Sequence, residues 1–199
     1  MKKLLTVVLT FLIAAPCLAQ DGDLKPIYKG ISLSAGVQTT SAAMFAYNGD
    51  KPFPTFNAEA GYLYMAKLGE SRFFFETGAY LGLINIGFDF YHDAPPVERV
   101  ISRHYRLKIP FNFDYTLPLG GGVNLMPSLG LGFTASYVTN ISNGVVEDSD
   151  PGIGIVLPHV GLSVMKDHFL IGLSHDFFAS IQSEIPLNGI LMLNASYLF

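Results

Sequence analysis

Three sets of residues in this 199-residue chain have types and spacings that could do chemistry. Ser174-His175-Asp176 places the groups of a nucleophile, a base and an acid in consecutive positions. Neighbours on an extended strand point to opposite faces, so these three cannot converge without a residue brought from elsewhere. Glu147, Asp148 and Asp150 offer the hard oxygen ligands that suit calcium or magnesium. Their spacing matches no EF-hand, and a solvated acidic loop is the plainer reading. The third set is Glu59, Arg72, Glu76, His104, Arg106, Lys108 and Asp114, each set into an apolar alternation. If they share an interior, opposite charges must meet there, because an unpaired charge out of water costs several kcal/mol. Such a network is a polar plug, with a gated conduit for small solutes as the alternative. There is no Gly-rich phosphate cradle and no HExxH motif. The expectation is therefore a protein without cofactor, metal or catalytic residues.

Strands must position these charges. Across 103–115, Tyr105, Leu107, Ile109, Phe111, Phe113 and Tyr115 alternate strictly with His104, Arg106, Lys108, Pro110, Asn112 and Asp114. A helix would mix the two sets, whereas a strand separates them. Val123, Leu125, Leu129, Leu131, Phe133, Ala135 and Tyr137 repeat the design against small or polar residues such as Ser128, Gly130, Gly132 and Thr134. The same reading gives eight strands, at about 29–40, 54–66, 72–86, 103–116, 122–138, 153–165, 168–179 and 188–199. Pro158 should force a bulge in the sixth. Connections at 67–71, 117–121 and 166–167 are short; those at 41–53, 87–102, 139–152 and 180–187 are longer and rich in Gly, Pro, Asn and Asp. Short turns on one side and long loops on the other belong to an antiparallel up-and-down transmembrane β-barrel, with short periplasmic turns, longer extracellular loops and both ends in the periplasm. Tyr62, Tyr64, Phe73, Phe113, Tyr115, Phe169 and Tyr197 would form one aromatic girdle, and Phe56, Tyr105, Tyr137 and Phe177 the other. A soluble lipocalin-like barrel shares the periodicity but has no use for two girdles.

The first residues agree with export. Lys2 and Lys3 precede an apolar run from Leu4 to Ala15, followed by small residues before a cut after Ala19, which is the order of a signal peptide. The run is shorter than the roughly 20 residues a spanning helix needs. Residues 1–19 are thus expected to be removed, leaving 20–199 as one barrel domain in the outer membrane. Acylation at Cys17 is the lesser alternative, since Pro16 stands where a small residue is wanted. Loss of Lys2 and Lys3 takes the formal charge from −4 to −6, which disfavours nucleic acid as a partner. Cys17 is the only cysteine, so no disulfide holds the mature chain. Half the residues are hydrophobic and mean hydropathy is +0.37, consistent with apolar side chains spread over short alternating strands.

The last strand ends with Leu191, Leu193, Ala195, Tyr197 and Phe199 on one face, similar to the C-terminal signature read by barrel-assembly machinery. Outer-membrane lipid, that machinery, and a protein meeting the extracellular loops are the expected partners. The stretch Tyr105-Arg106-Leu107-Lys108-Ile109-Pro110-Phe111-Asn112-Phe113-Asp114-Tyr115, then Pro127-Ser128-Leu129-Gly130-Leu131-Gly132, resembles the Leu-x-Ile-Pro strand and Gly-rich strand of the Bacteroidota outer-membrane β-barrel domain family, the PorT-like barrels. The motif spans 105–132, and Asp114 stands where many members carry Lys. The resemblance implies a barrel and, as one version of its role, an accessory part in secretion; it transfers no catalytic residue. A non-enzymatic structural or interaction protein is the leading expectation. A lipid-modifying enzyme using His175 at the interface is the alternative from another class.

Overall fold

A computed structural model describes residues 24–39, 51–90, 98–179 and 188–199. The expected signal peptide at 1–19 and the expected loop at 180–187 lie outside the described residues. The elements are β1 (Ile27–Thr39), β2 (Lys51–Phe53), β3 (Phe56–Lys67), β4 (Phe73–Phe90), β5 (Glu98–Tyr115), β6 (Leu117–Gly120), β7 (Val123–Ser142), β8 (Val145–Lys166), β9 (Phe169–Ala179) and β10 (Asn188–Leu198). All pairings are antiparallel. They run β1–β3–β4–β5–β7–β8–β9–β10 and back to β1, closing a ring of eight. The short β2 and β6 add to the outer ends of β4 and the turn end of β7. Closure matters energetically because it leaves no sheet edge to satisfy within a membrane. Following paired residues from Tyr105 through Leu83, Ala58, Ala35, Leu193, Leu173 and Leu162 returns the path to β5 ten positions further on. A stagger of this kind goes with strands tilted by roughly 35–45°.

The two faces of the ring are inverted relative to a soluble protein. Ile31, Leu33, Leu81, Leu129, Phe133, Leu162, Leu173 and Leu193 are exposed on the outside, while Glu59, Arg106, Lys108, Asn112, Asp114 and Asp176 are buried inside. A lipocalin-like barrel in water would have the opposite order, so that alternative fails. The expected girdles fall on neighbouring strands: the ring of Phe73 packs tilted against Tyr115 at 4.8 Å and that of Phe169 edge-on to Tyr197 at 5.5 Å at the turn end. Tyr105 faces Tyr137 at the other end. Tyr105 and Tyr115 are ten positions apart on β5, roughly 33 Å of strand at about 3.3 Å per residue. At the tilt above that is about 25 Å along the barrel axis, the height of the apolar band of a membrane barrel.

At the turn end the connections are short, as expected. Gly69, the run Gly120-Gly121-Gly122, and Asp167 take up the left-handed conformations that the three turns need. At the other end the strands overrun the expected loops. β4 continues to Phe90, β5 begins at Glu98, and β7 and β8 continue to a two-residue turn at Asn143-Gly144. Both turn residues have positive φ, 47° and 86°, as a tight hairpin turn demands. The expected loop at 139–152 is therefore a hairpin, and most of 87–102 is strand. Asn-Gly between alternating residues is a strong hairpin signal; the sequence reading passed over it because Glu147, Asp148 and Asp150 have low strand propensity. Side chains tie this extension together above the girdle: Asn140 donates to Asp148 at 2.7 Å, Ser142 to Glu98 at 2.6 Å, and Arg99 to both oxygens of Asp89.

The bulge expected at Pro158 is present: β8 shifts register against β9 between Val156 and His159. The inward positions are consequently odd-numbered below it, at His159, Gly161 and Ser163, and even-numbered above it, at Val156. Beyond Ile155, β8 has no strand on its β9 side among the described residues.

Candidate functional site

Alternation on β3, β5 and β9 sends Glu59, Arg106, Lys108 and Asp176 into the lumen, where they form a closed ring of four charges. Arg106 donates through Nε to Glu59 Oε1 at 2.7 Å and through Nη2 to Asp176 Oδ2 at 3.3 Å. Lys108 Nζ reaches Glu59 Oε2 at 2.7 Å and Asp176 Oδ2 at 2.9 Å. His159 Nδ1 lies 2.6 Å from Asp176 Oδ1. The bonds of Arg106 and Lys108 cross the lumen between strands that are not neighbours and match two cations to two carboxylates, whereas His159 meets Asp176 across the adjacent β8–β9 pair. Gly82 makes room for the arrangement. A Cβ there would stand 2.8 Å from Glu59 Cγ and 3.0 Å from its Oε1. Gly82→Val is expected to cost about 1–3 kcal/mol by overpacking and to push the carboxylate off Arg106; a urea midpoint equal to that of the unmodified barrel would refute this packing.

The ring of charges has an apolar cluster on either side. Towards the turns, Tyr28, Leu63, Met65, Phe74, Met126, Met165, Leu170 and Leu198 fill the lumen from six other strand neighbours and β3 itself. Towards the hairpins, Ile84, Ile190 and Met192 stand beside the charges, with Ile86 packed against them. Between the charges and the lower cluster lies a polar cavity of about 60 Å³ lined by Glu76, Tyr80, Asn112, Asp114, Ser128 and His159 among others. Alternation puts Phe74 and Met126 on the inner face; Tyr28, Leu63, Met65, Met165, Leu170 and Leu198 were not singled out, because an apolar residue on either face suits a strand.

The seven residues expected in one network separate into groups. Glu59, Arg106 and Lys108 meet. Glu76 accepts a 2.8 Å bond from Asn112 in the cavity, and Asp114 is buried beside it. His104 faces the lumen one step beyond Arg106, outside the ring of charges. Arg72 sits in the turn before β4, where its carbonyl accepts from Thr116 N at 2.9 Å. Two members were missed. Asp176 was read only as part of a possible triad, although Leu170, Gly172, Ser174 and Asp176 alternate with Phe169, Ile171, Leu173 and His175 as clearly as β5 does. His159 was hidden by the phase change at the bulge.

The hydrolase set does not assemble. Ser174 and Asp176 are buried on the inner face, while His175 is on the outer one. There His175 Nε2 lies 2.5 Å from Thr39 Oγ1 and the ring packs 4.1 Å from Phe177. His175 Nδ1 has no hydrogen-bond partner among the described residues, so no carboxylate among them orients this imidazole as the base of a triad. Glu147, Asp148 and Asp150 are exposed on strand β8, with Glu147 the extra residue at a register shift against β7, and no group of three acidic, His or Cys ligands forms among the described residues. Leu191, Leu193, Tyr197 and Phe199 are exposed on the outer face, with Ala195 between them.

A closed ring of eight antiparallel strands, apolar outside, charged inside and girdled at both ends, decides the fold. It is that of an outer-membrane β-barrel. No family model and no curated relative matches the sequence. Similar solved structures include Ail, the attachment invasion locus protein of Yersinia pestis, at 14% identity over 88% of this chain and 100% of that one, TM-score 0.43. Neisserial surface protein A gives 11% identity, 88% and 98% coverage and TM-score 0.43. The outer membrane protein OprG of Pseudomonas aeruginosa gives 12%, 87% and 94%, and 0.41.

Proposed function

We propose that this chain is a non-conducting, non-enzymatic barrel of the outer membrane that serves as a rigid mount for the sheet formed by β4, β5, β7 and β8 outside the cell. The observation that carries this reading is the lumen: among the described residues, a ring of four charges held between two apolar clusters leaves no continuous polar path for a solute. An ion entering would have to displace Arg106 or Lys108 from both carboxylates, at a cost of several kcal/mol. What the membrane-spanning part supports is the extension, whose strands run several residues beyond Tyr105 and Tyr137 and are cross-linked by side-chain bonds. A sheet held this firmly presents a preorganised surface, which lowers the cost of meeting a protein partner. Within that role, an accessory part in secretion is the version implied by the 105–132 motif. The exposed face ending at Phe199 supports recognition by the assembly machinery.

Two measurements test the proposal. Barrels reconstituted in planar bilayers are expected to give no conductance steps above lipid alone; regular single-channel openings would sink the closed-lumen reading. Val145→Cys at the hairpin tip is expected to react with a membrane-impermeant maleimide in intact cells, and Gly121→Cys in the opposite turn is expected to react only after lysis. The reverse pattern would turn the orientation over.

A further inference from the structure

The interior holds four carboxyl groups, Glu59, Glu76, Asp114 and Asp176, against one Arg and one Lys. Arg106 and Lys108 are both engaged with Glu59 and Asp176. Glu76 and Asp114 line the cavity beneath them, and among the described residues neither carboxylate is in an ion pair. Asp114 is 4% exposed, and its Oδ2 is buried with no hydrogen-bond partner. Asn112 lies between them in register, opposite Glu76, and is 2% exposed. Its Nδ2 is spent on Glu76 at 2.8 Å, while its Oδ1 is also buried and without a partner. Three side chains thus bring oxygen acceptors to one cavity, two of them with no donor to meet.

We propose that this cavity binds one hard divalent cation, calcium or magnesium, through Glu76, Asp114 and Asn112 Oδ1. Carboxylate and amide oxygens with no nitrogen or sulfur donor are the ligand set of those ions rather than of zinc or copper. The volume of about 60 Å³ leaves room for an ion and a water or two, at roughly 30 Å³ per water, and the hydroxyl of Ser128 lines the same space. Two carboxylates balance a double positive charge, which makes the whole interior neutral without a further basic residue. Lys108 and His159 also line the cavity and oppose a cation there, but both are already drawn to Asp176.

The test is to fold the full mature chain into detergent with calcium and magnesium or with EDTA, desalt it, and measure bound metal and thermal unfolding. One ion per barrel is expected to remain, and the EDTA-folded protein is expected to melt at lower temperature. Asp114→Asn and the pair Glu76→Gln, Asp114→Asn are expected to lose the ion and the dependence on metal. These variants keep their shape and remove charge, so they can still fold. Glu147→Gln with Asp148→Asn, on the external hairpin, is expected to keep both. If no metal is retained and melting is the same in EDTA, the proposal is overturned, and protons neutralise the two acids. Retention that is lost with the hairpin variant instead also overturns it.

Discussion

Asp176→Ala is expected to destabilise the barrel by about 3–5 kcal/mol, the usual cost of removing one partner from a buried charge cluster. Asp176 is 1% exposed and holds Arg106, Lys108 and His159 at 3.3, 2.9 and 2.6 Å. Its loss leaves two cations sharing Glu59 in a space without room for bulk water. Replacing all four charges together (Glu59→Leu, Arg106→Met, Lys108→Met, Asp176→Leu) should instead be neutral or stabilising, by up to roughly 1–4 kcal/mol, since no charge is then stranded. Urea titration of the folded barrel in phospholipid vesicles, followed by circular dichroism because the chain has no Trp, measures both. A single variant that unfolds at the midpoint of the unmodified protein would show that these groups do not depend on one another.

The second large effect separates lipid from water on the outer surface. Leu33 and Val145 are both exposed, 60% and 67%, and a soluble protein would treat them alike. Leu33 lies midway along β1, within the apolar band, whereas Val145 lies beside the hairpin turn. Leu33→Arg is expected to cost about 2–4 kcal/mol, as a charge at the middle of the bilayer does. Val145→Arg should stay within about 0.5 kcal/mol, as most surface changes do. The same titration from vesicles reads the difference. Equal small effects at the two sites would remove the membrane from the interpretation.

Much of the architecture could be read from alternation alone, because on β5 and β7 every second residue changes character and a period of two has one structural meaning. The eight strands, the three tight turns and the irregularity at Pro158 all follow from local rules. What could not be read was how the inner faces meet. Glu59 and Asp176 are 117 positions apart, and only the ring order of the strands brings them to the same cations. The hairpin was missed for a different reason: acidic residues normally end a strand, but here they lie on one that has no neighbour on its far side among the described residues. Glu147, Asp148, Asp150 and Pro151 on β8 are the residue types that keep an open strand edge from pairing with another chain. Their composition answers to that exposure rather than to ion binding.

The charges in the lumen come from strands placed far apart round the ring, and this has a consequence for assembly. Glu59 arrives with β3, Arg106 and Lys108 with β5, His159 with β8 and Asp176 with β9. Of the four charges that form the ring, a sheet that has formed only its N-terminal half holds two cations and Glu59, and one that has formed only its C-terminal half holds Asp176, with His159 beside it. Neither half completes the ring until the sheet has curled round on itself and the first and last strands have met, where Ser196 donates to Ser32 at 2.9 Å across the seam. Incomplete cylinders therefore leave these charges without their partners, and closure becomes an all-or-none event: the interior salt bridges act as a checkpoint on circularisation, favouring intermediates that stay hydrated until the last strand is in register.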